Sequence, residues 1–309
     1  MKTKNYAPII LFVYRRLDTL KQVIKNLKKN KLSKVSDIYI FSDGYKNLND
    51  KKNVLAVRTY LKNIQGFKNK KIIFRNKNLG LAKNIISGTS KILSLKGKGI
   101  IIEDDIIVSP NFLTYMNLCL EKFKEEKKIW HINAWNYNMK LKSCKYDVFY
   151  WKGMHCWGWA TWYNKWKFYK KDPKKLIRTF SDKEIKKFNY DGYFDFWRQV
   201  IRNYKSKIDS WAIFWYAIIF KNKGLCVSPL ESLTLNIGHD KYATNTFMNI
   251  GKNHHLNLTK FHNKKVFKFQ TELKENIELY NIIKKHLQTA KAINIFNRFT
   301  GLKKIINLF

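Results

Sequence analysis

Residues 99–110 read Gly-Ile-Ile-Ile-Glu-Asp-Asp-Ile-Ile-Val-Ser-Pro, an oily run broken by three successive acids, Glu103, Asp104 and Asp105. A strand buried on both faces needs an unbroken β-branched stretch, so Ile100 to Ile102 are expected at the centre of a sheet. The carboxylates then fall at the strand's end. In an open α/β sheet, ligands gather outside the carboxyl ends of the strands, and oxygen donors suit hard cations such as Mg2+ or Mn2+. A solvated acidic turn is the alternative reading of the same residues.

The chain before this segment alternates strand and helix. Ile9 to Val13 reads as a buried strand, and Leu17, Leu20, Ile24 and Leu27 then recur at helical spacing. Asp37 to Phe41 supplies a second strand ending at Ser42-Asp43-Gly44, Val54 to Ile64 a helix, and Lys71 to Phe74 a third strand. After Asn78-Leu79-Gly80-Leu81, Ala82 to Leu95 reads as another helix. This order predicts a mostly parallel central sheet flanked by helices, with residues 1–109 as a nucleotide-binding half. Beyond Pro110, Phe112 to Phe123 is expected as a helix.

Residues 150–169 then concentrate tyrosine and tryptophan around Gly153 and Gly158. Such rings are core by default, while glycine among indoles also suits a loop that approaches a sugar ring. Trp211 to Phe220 is apolar nearly all round, as in a buried helix, with Asp209-Ser210 placed to cap it. From about residue 241 the sheet pattern stops. Ile293, Phe296, Phe299, Leu302, Ile305, Ile306 and Phe309 share one helical stripe with lysine and arginine elsewhere, which fits a membrane-surface helix or a terminal helix docked on the protein.

Lys and Arg number 61 against 22 Asp and Glu, a formal charge of +39 over 309 residues. That excess attracts polyanions: an anionic membrane, a phosphorylated substrate or nucleic acid. It is spread along the whole chain, so charge alone assigns no nucleic-acid site. Cys119, Cys144, Cys156 and Cys226 have neither paired nor zinc-type spacing, which argues against a disulfide framework. Pro8 to Val13 runs straight into Arg15-Arg16, unlike a secretory leader, and no stretch approaches the roughly 20 apolar residues of a membrane span. The expected location is the cytoplasm, peripheral on the inner face of the membrane.

Taken as a series, several segments resemble the GT-A glycosyltransferases, in particular the inverting enzymes similar to N-acetylglucosaminyltransferase I and their bacterial relatives. They are residues 10–16, Ser42-Asp43-Gly44, Asn78 to Ala82, Glu103 to Phe112, Trp157-Gly158-Trp159 and Asp209-Ser210-Trp211. The resemblance implies a GT-A, Rossmann-like α/β fold with residues 110–240 as the acceptor half and 241–309 as a helical C-terminal extension. It implies a nucleotide-diphosphate sugar donor, usually a uridine one, a saccharide or lipid-linked saccharide acceptor, and Mn2+ or Mg2+. By position Asp105 matches the direct metal ligand, and Glu103 and Asp104 would face the sugar and ribose. Arg16 matches an arginine that contacts the nucleotide, and Asp43 an acid that reads the base; ordinary turn chemistry is the other reading of both. Lys83 could reach a phosphate at a helix N-terminus.

Inversion at the anomeric carbon needs a general base, which the family supplies as a carboxylate shortly before a tryptophan. Asp209 fits, with Asp195 as a rival and Ser210 standing where the family pattern has a second acid. The strand that follows in the family is matched by Pro229-Leu230-Glu231-Ser232. His239 is a further candidate metal ligand or a plain loop residue. A nucleotidyltransferase would want a glycine-rich loop after the first strand, and residues 14–20 contain no glycine. A non-enzymatic polyanion binder would rest on charge and aromatics alone.

Overall fold

The computed structural model describes residues 5–137, 145–238 and 266–300. Strands β1 (Ile9–Val13), β2 (Ile38–Ser42), β3 (Lys70–Phe74) and β4 (Lys98–Glu103) pair in parallel in the order β3-β2-β1-β4. Helices α1 (Leu17–Lys28), α2 (Leu48–Asn63) and α3 (Leu81–Lys96) connect them. The sheet continues through β8 (Trp159–Trp162), β6 (Ile129–Asn133), β9 (Leu225–Pro229) and β7 (Val148–Trp151). Strands β8 and β7 run against the other six, so this mixed α/β sheet is mostly parallel, as the alternating pattern predicts.

Period-two alternation sorts the core into layers. Ile9, Leu11, Val13, Ile100 and Ile102 face α1, α2 and α4 (Phe112–Lys122). Ile10, Phe12 and Ile101 face α3 and α9 (Ala212–Lys221). Both faces of β1 and β4 are thus covered, and each fully buried Ile, Leu or Val side chain contributes about 1.5–3 kcal/mol. Because β2 and β4 flank β1 on opposite sides, the chain leaves β1 and β4 in different directions. The crevice so opened lies at a topological switch point, where α/β sheets bind ligands.

Between β4 and α4 a short strand, β5 (Ile106–Val108), pairs antiparallel with β10 (Thr234–Asn236). This ribbon carries residues 236–238 back onto the acidic turn, where the Ile237 N–H donates to the Asp105 carbonyl at 2.9 Å. The short helices α5 (Tyr163–Trp166), α6 (Pro173–Thr179), α7 (Asp182–Phe188) and α8 (Trp197–Tyr204) surround α9. The C-terminal segment is helical, α10 (Ile277–Thr300), and buries Leu279, Ile283 and Leu287 in an aromatic cluster with Phe149, Trp151, Phe188 and Tyr216.

Three local expectations change. The strand expected at Pro229 to Ser232 lies earlier, at Leu225–Pro229, because the apolar run Leu225-Cys226-Val227 fills the sheet and the chain then turns into β10. Asp209 and Ser210 do not cap α9, which begins at Ala212 without a side-chain cap; Ser210 is held instead by Asn203, which donates to its Oγ at 2.9 Å and accepts its N–H at 3.1 Å. The early part of α10 is docked on the protein, whereas the side chains of the stripe from Ile293 to Phe309 lie outside the described residues.

Candidate active site

A cavity of about 1050 Å³ opens at the carboxyl ends of β1, β2 and β4. Arg16, Asp43, Glu103, Asp104, Asp105 and Asp209 all line it, although the sequence scatters them over nearly 200 positions. Lys83 does not. It is exposed on α3 and borders a smaller cleft of about 360 Å³ shared with Lys171 and Asp209. Asp195 is exposed and accepts the Arg198 N–H at 3.0 Å, a capping contact at the start of α8. His239 lies outside the described residues.

Asp43 is almost fully buried at the end of β2. Its carboxylate accepts the N–H groups of Gly44 (2.9 Å), Leu79 (2.9 Å) and Gly80 (3.0 Å), stapling the loop after β2 to the start of α3. Burial pushes this carboxyl above its usual range against the pull of those three donors. Gly44 permits the close approach, since a β-carbon there would overlap the main chain of Lys77 and Asn78. The Asn78 amide closes the staple by donating to the Gly44 carbonyl at 2.7 Å.

Two of the three acids have separate partners. The Asp104 carboxylate accepts the Tyr14 N–H at 2.8 Å, and Asp105 Oδ2 pairs with Arg16 Nη1 at 3.0 Å. Burial, then the neighbouring charge of Asp105, raises Asp104 to about 7, and the same two causes lift Glu103 well above the carboxylate range. Gly238 lies directly on the Asp105–Arg16 pair, its carbonyl 3.5 Å from Arg16 Nη1, and a β-carbon at this position would overlap Asp105. Among the described residues no three His, Cys, Asp or Glu side chains converge as a metal cage. Glu103, Asp104 and Asp105 line the same cavity without forming such a cage. The donor set suits a hard divalent ion, because crowded carboxylates, raised by burial and then by one another's charge, make a field that favours positive charge.

Two groups of lining residues escaped the sequence reading. The Tyr14 hydroxyl donates to Asp50 at 2.7 Å and accepts the Lys46 N–H at 3.0 Å, and Arg15 pairs with the same Asp50. Burial first, then Asp50, pushes the Tyr14 hydroxyl up to about 12. Burial would raise Asp50, but hydrogen bonds from Tyr14 and Arg15 hold it below its usual value. The signal was faint, since Asp50 sits at the N-terminus of α2, where Asn47 caps its N–H and an acid is ordinary. The second group is the aromatic wall of Trp135, Tyr137, Phe194, Phe196 and Tyr216, completed by Trp157 from the Trp157-Gly158-Trp159 segment named above. Asp209, largely exposed, lines the same cavity close to Gly80 and forms an ion pair with Lys171.

No protein-family profile and no curated protein matches the chain. Among solved structures it is similar in part to a mannosyltransferase from Pyrobaculum calidifontis in complex with GDP-Man and Mn2+. That likeness has 10% identity and a TM-score of 0.35, covering 51% of this chain and 45% of that one. It is also similar in part to S. aureus TarS, with 10% identity and a TM-score of 0.32 over 46% of this chain and 23% of that one. The chain thus spans less than half the length of either structure.

Proposed function

We propose that the protein is an inverting GT-A glycosyltransferase that moves a sugar from a nucleotide-diphosphate donor, a uridine one, to a saccharide or lipid-linked saccharide acceptor. The observation that carries this reading is the single cavity lined by both the charged residues, Asp209 among them, and the aromatic ones. At about 1050 Å³ it exceeds the roughly 300–1,000 Å³ usual for one small ligand, which leaves room for donor and acceptor together. In this reading residues 1–109 form the donor half, 110–240 the acceptor half and 241–309 a basic extension.

Arg16 takes the donor's phosphate charge, and the loop stapled by Asp43 shapes the pocket for its base. Asp105 holds the Mn2+ or Mg2+, which when bound stabilises the charge that develops on the diphosphate leaving group. Glu103 and Asp104 face the ribose and sugar hydroxyls. Asp209 accepts the proton of the attacking hydroxyl, and its exposure leaves it open to an incoming acceptor. The aromatic wall excludes water and offers flat faces to sugar rings. Among the described residues no helix is long and apolar enough to cross a membrane. The charge of +39 supports a peripheral place on an anionic inner surface, where each nearby Lys or Arg contributes about 1 kcal/mol.

The test is a thermal-shift screen of nucleotide sugars with and without Mn2+, followed by transfer assays with the donor that stabilises the protein. Asp105→Ala is expected to remove the Mn2+-dependent part of the shift. Asp209→Asn is expected to keep donor binding while lowering transfer by about 10²–10⁴-fold. Full transfer by the Asp105 variant would overturn the assignment.

A further inference from the structure

The loop between β7 and β8 is fastened to the sheet more heavily than a connecting segment needs. From β6, the Asn133 carbonyl oxygen Oδ1 accepts the main-chain N–H of His155 at 2.7 Å, and the Asn133 amide donates to the Gly153 carbonyl at 2.9 Å and to Ser228 Oγ at 2.7 Å. His131, two residues earlier on the same face of β6, has its Nδ1 3.1 Å from the indole N–H of Trp215, a group that can only donate. Nδ1 is therefore the acceptor and the proton lies on Nε2, which donates to the His155 carbonyl at 3.0 Å. Both main-chain polar groups of His155 are thus held by side chains buried in the sheet.

The side chain so positioned has a different status. Its ring lines the cavity and is boxed by Trp135, Tyr137 and Trp151 at centroid distances of 4.6, 5.2 and 5.5 Å. Its Nε2 is buried without a hydrogen-bond partner. Leaving a buried nitrogen unpaired costs stability, so a residue fixed at both main-chain groups and unsatisfied at its side chain is arranged for something other than the fold. Resting on the glycosyltransferase reading, we propose that His155 is a substrate-binding residue that hydrogen-bonds a pyranose hydroxyl in the aromatic half of the cavity, with His131 and Asn133 as its positioning residues.

The chemistry of the surroundings fits such a ligand. Burial, then the neighbouring His131, lowers the imidazole to about 3, so it is neutral and offers one N–H and one lone pair. A sugar hydroxyl, itself donor and acceptor, matches either, while the apolar face of a pyranose matches the surrounding rings. No hydrogen bond among the described residues restrains the ring, so rotation about χ2 can aim a nitrogen at the ligand. The hydroxyl can belong to the transferred sugar or to the accepting one.

Two variants and two probes separate these cases from a structural role. His155→Phe keeps the ring and removes the unpaired nitrogen, so its ligand-free melting temperature is expected to equal or exceed that of the native chain. Calorimetry with UDP- and GDP-sugars plus Mn2+, against the bare nucleoside diphosphates, reads the transferred sugar. Saturation-transfer NMR with neutral methyl glycosides reads the accepting one. In one of these arms His155→Phe is expected to lose about 5-fold in affinity, His155→Gln to recover part of it, and binding of the bare diphosphates to stay unchanged. A lowered melting temperature with both arms unchanged overturns the proposal and leaves the glycosyltransferase reading standing. If the native chain binds no probe in either arm, both fall.

Discussion

In the half built on β1 to β4, the cavity wall is charged and two of its acids are held by main-chain N–H groups, Asp43 by Gly44, Leu79 and Gly80 and Asp104 by Tyr14. In the half built on β6 to α10, the wall is aromatic and its loop is held by buried side chains, Asn133, His131, Ser228 and Trp215. The first arrangement needs only short segments at strand ends. The second needs side chains from β6, β9 and α9 to meet in the interior before the loop has a shape, so it depends on long-range packing. Removing a polar group should act locally in the first half and more widely in the second.

The sharpest break of this contrast is Trp215→Ala. Trp215 is fully buried, packs on Trp130 and Trp166, and supplies the N–H that sets the His131 tautomer. Chemical denaturation is expected to register a loss of about 4 kcal/mol, and hydrogen exchange should reach the loop at Gly153 to Gly158 as well as α9. Exchange confined to α9 would mean that the two are not coupled. Next in size, Asp43→Ala leaves three N–H groups unpaired in the half built on β1 to β4 and is expected to cost about 2–3 kcal/mol. Its exchange should quicken at Gly44 and Leu79 to Gly80 while the aromatic half stays protected.

The smallest effect concerns the docking of α10. Asp191 accepts Lys284 Nζ at 2.8 Å and the Tyr280 hydroxyl at 3.2 Å, and pairs with Lys187 at 2.7 Å. Burial works against its ionisation, but the lysine hydrogen bonds prevail and lower it from 3.8 to about 2. A depressed carboxyl stabilises the folded state fully above its ordinary value and loses that contribution as pH falls through the folded one. Exchange at Leu279 to Leu287 should therefore rise between pH 4 and pH 2, and Lys284→Met should move the rise to higher pH. A pH-independent protection of α10 would assign its docking to the apolar contacts alone.

The half built on β1 to β4 was legible in the sequence to within a residue or two because β1, β2 and β4 are apolar runs that meet sheet partners on both sides. The start of α2 was missed by six residues, since its signal is the Asn47 cap on the Asp50 N–H and the helix carries little apolar periodicity. Strand β6 was not read at all. Its sequence, Ile-Trp-His-Ile-Asn, is interrupted by His131 and Asn133, buried polar residues whose partners lie 20 to 95 positions away. The acidic triplet was found, but its geometry was not, because neighbouring residues in a turn can share a cavity without sharing a ligand. Asp209 and Ser210 illustrate the same limit, as only the fold shows that Asn203 and Lys171 are their partners.

Asp105 already has a counterion of the chain's own in Arg16. In the proposed reading, a divalent ion arriving at that carboxylate would exchange one positive charge for another, and the displaced guanidinium would need an anion, which the donor's diphosphate would supply. Ion and nucleotide should consequently each enter weakly alone and reinforce one another when together, an interdependence set by one side chain immediately before α1 rather than by the acids themselves.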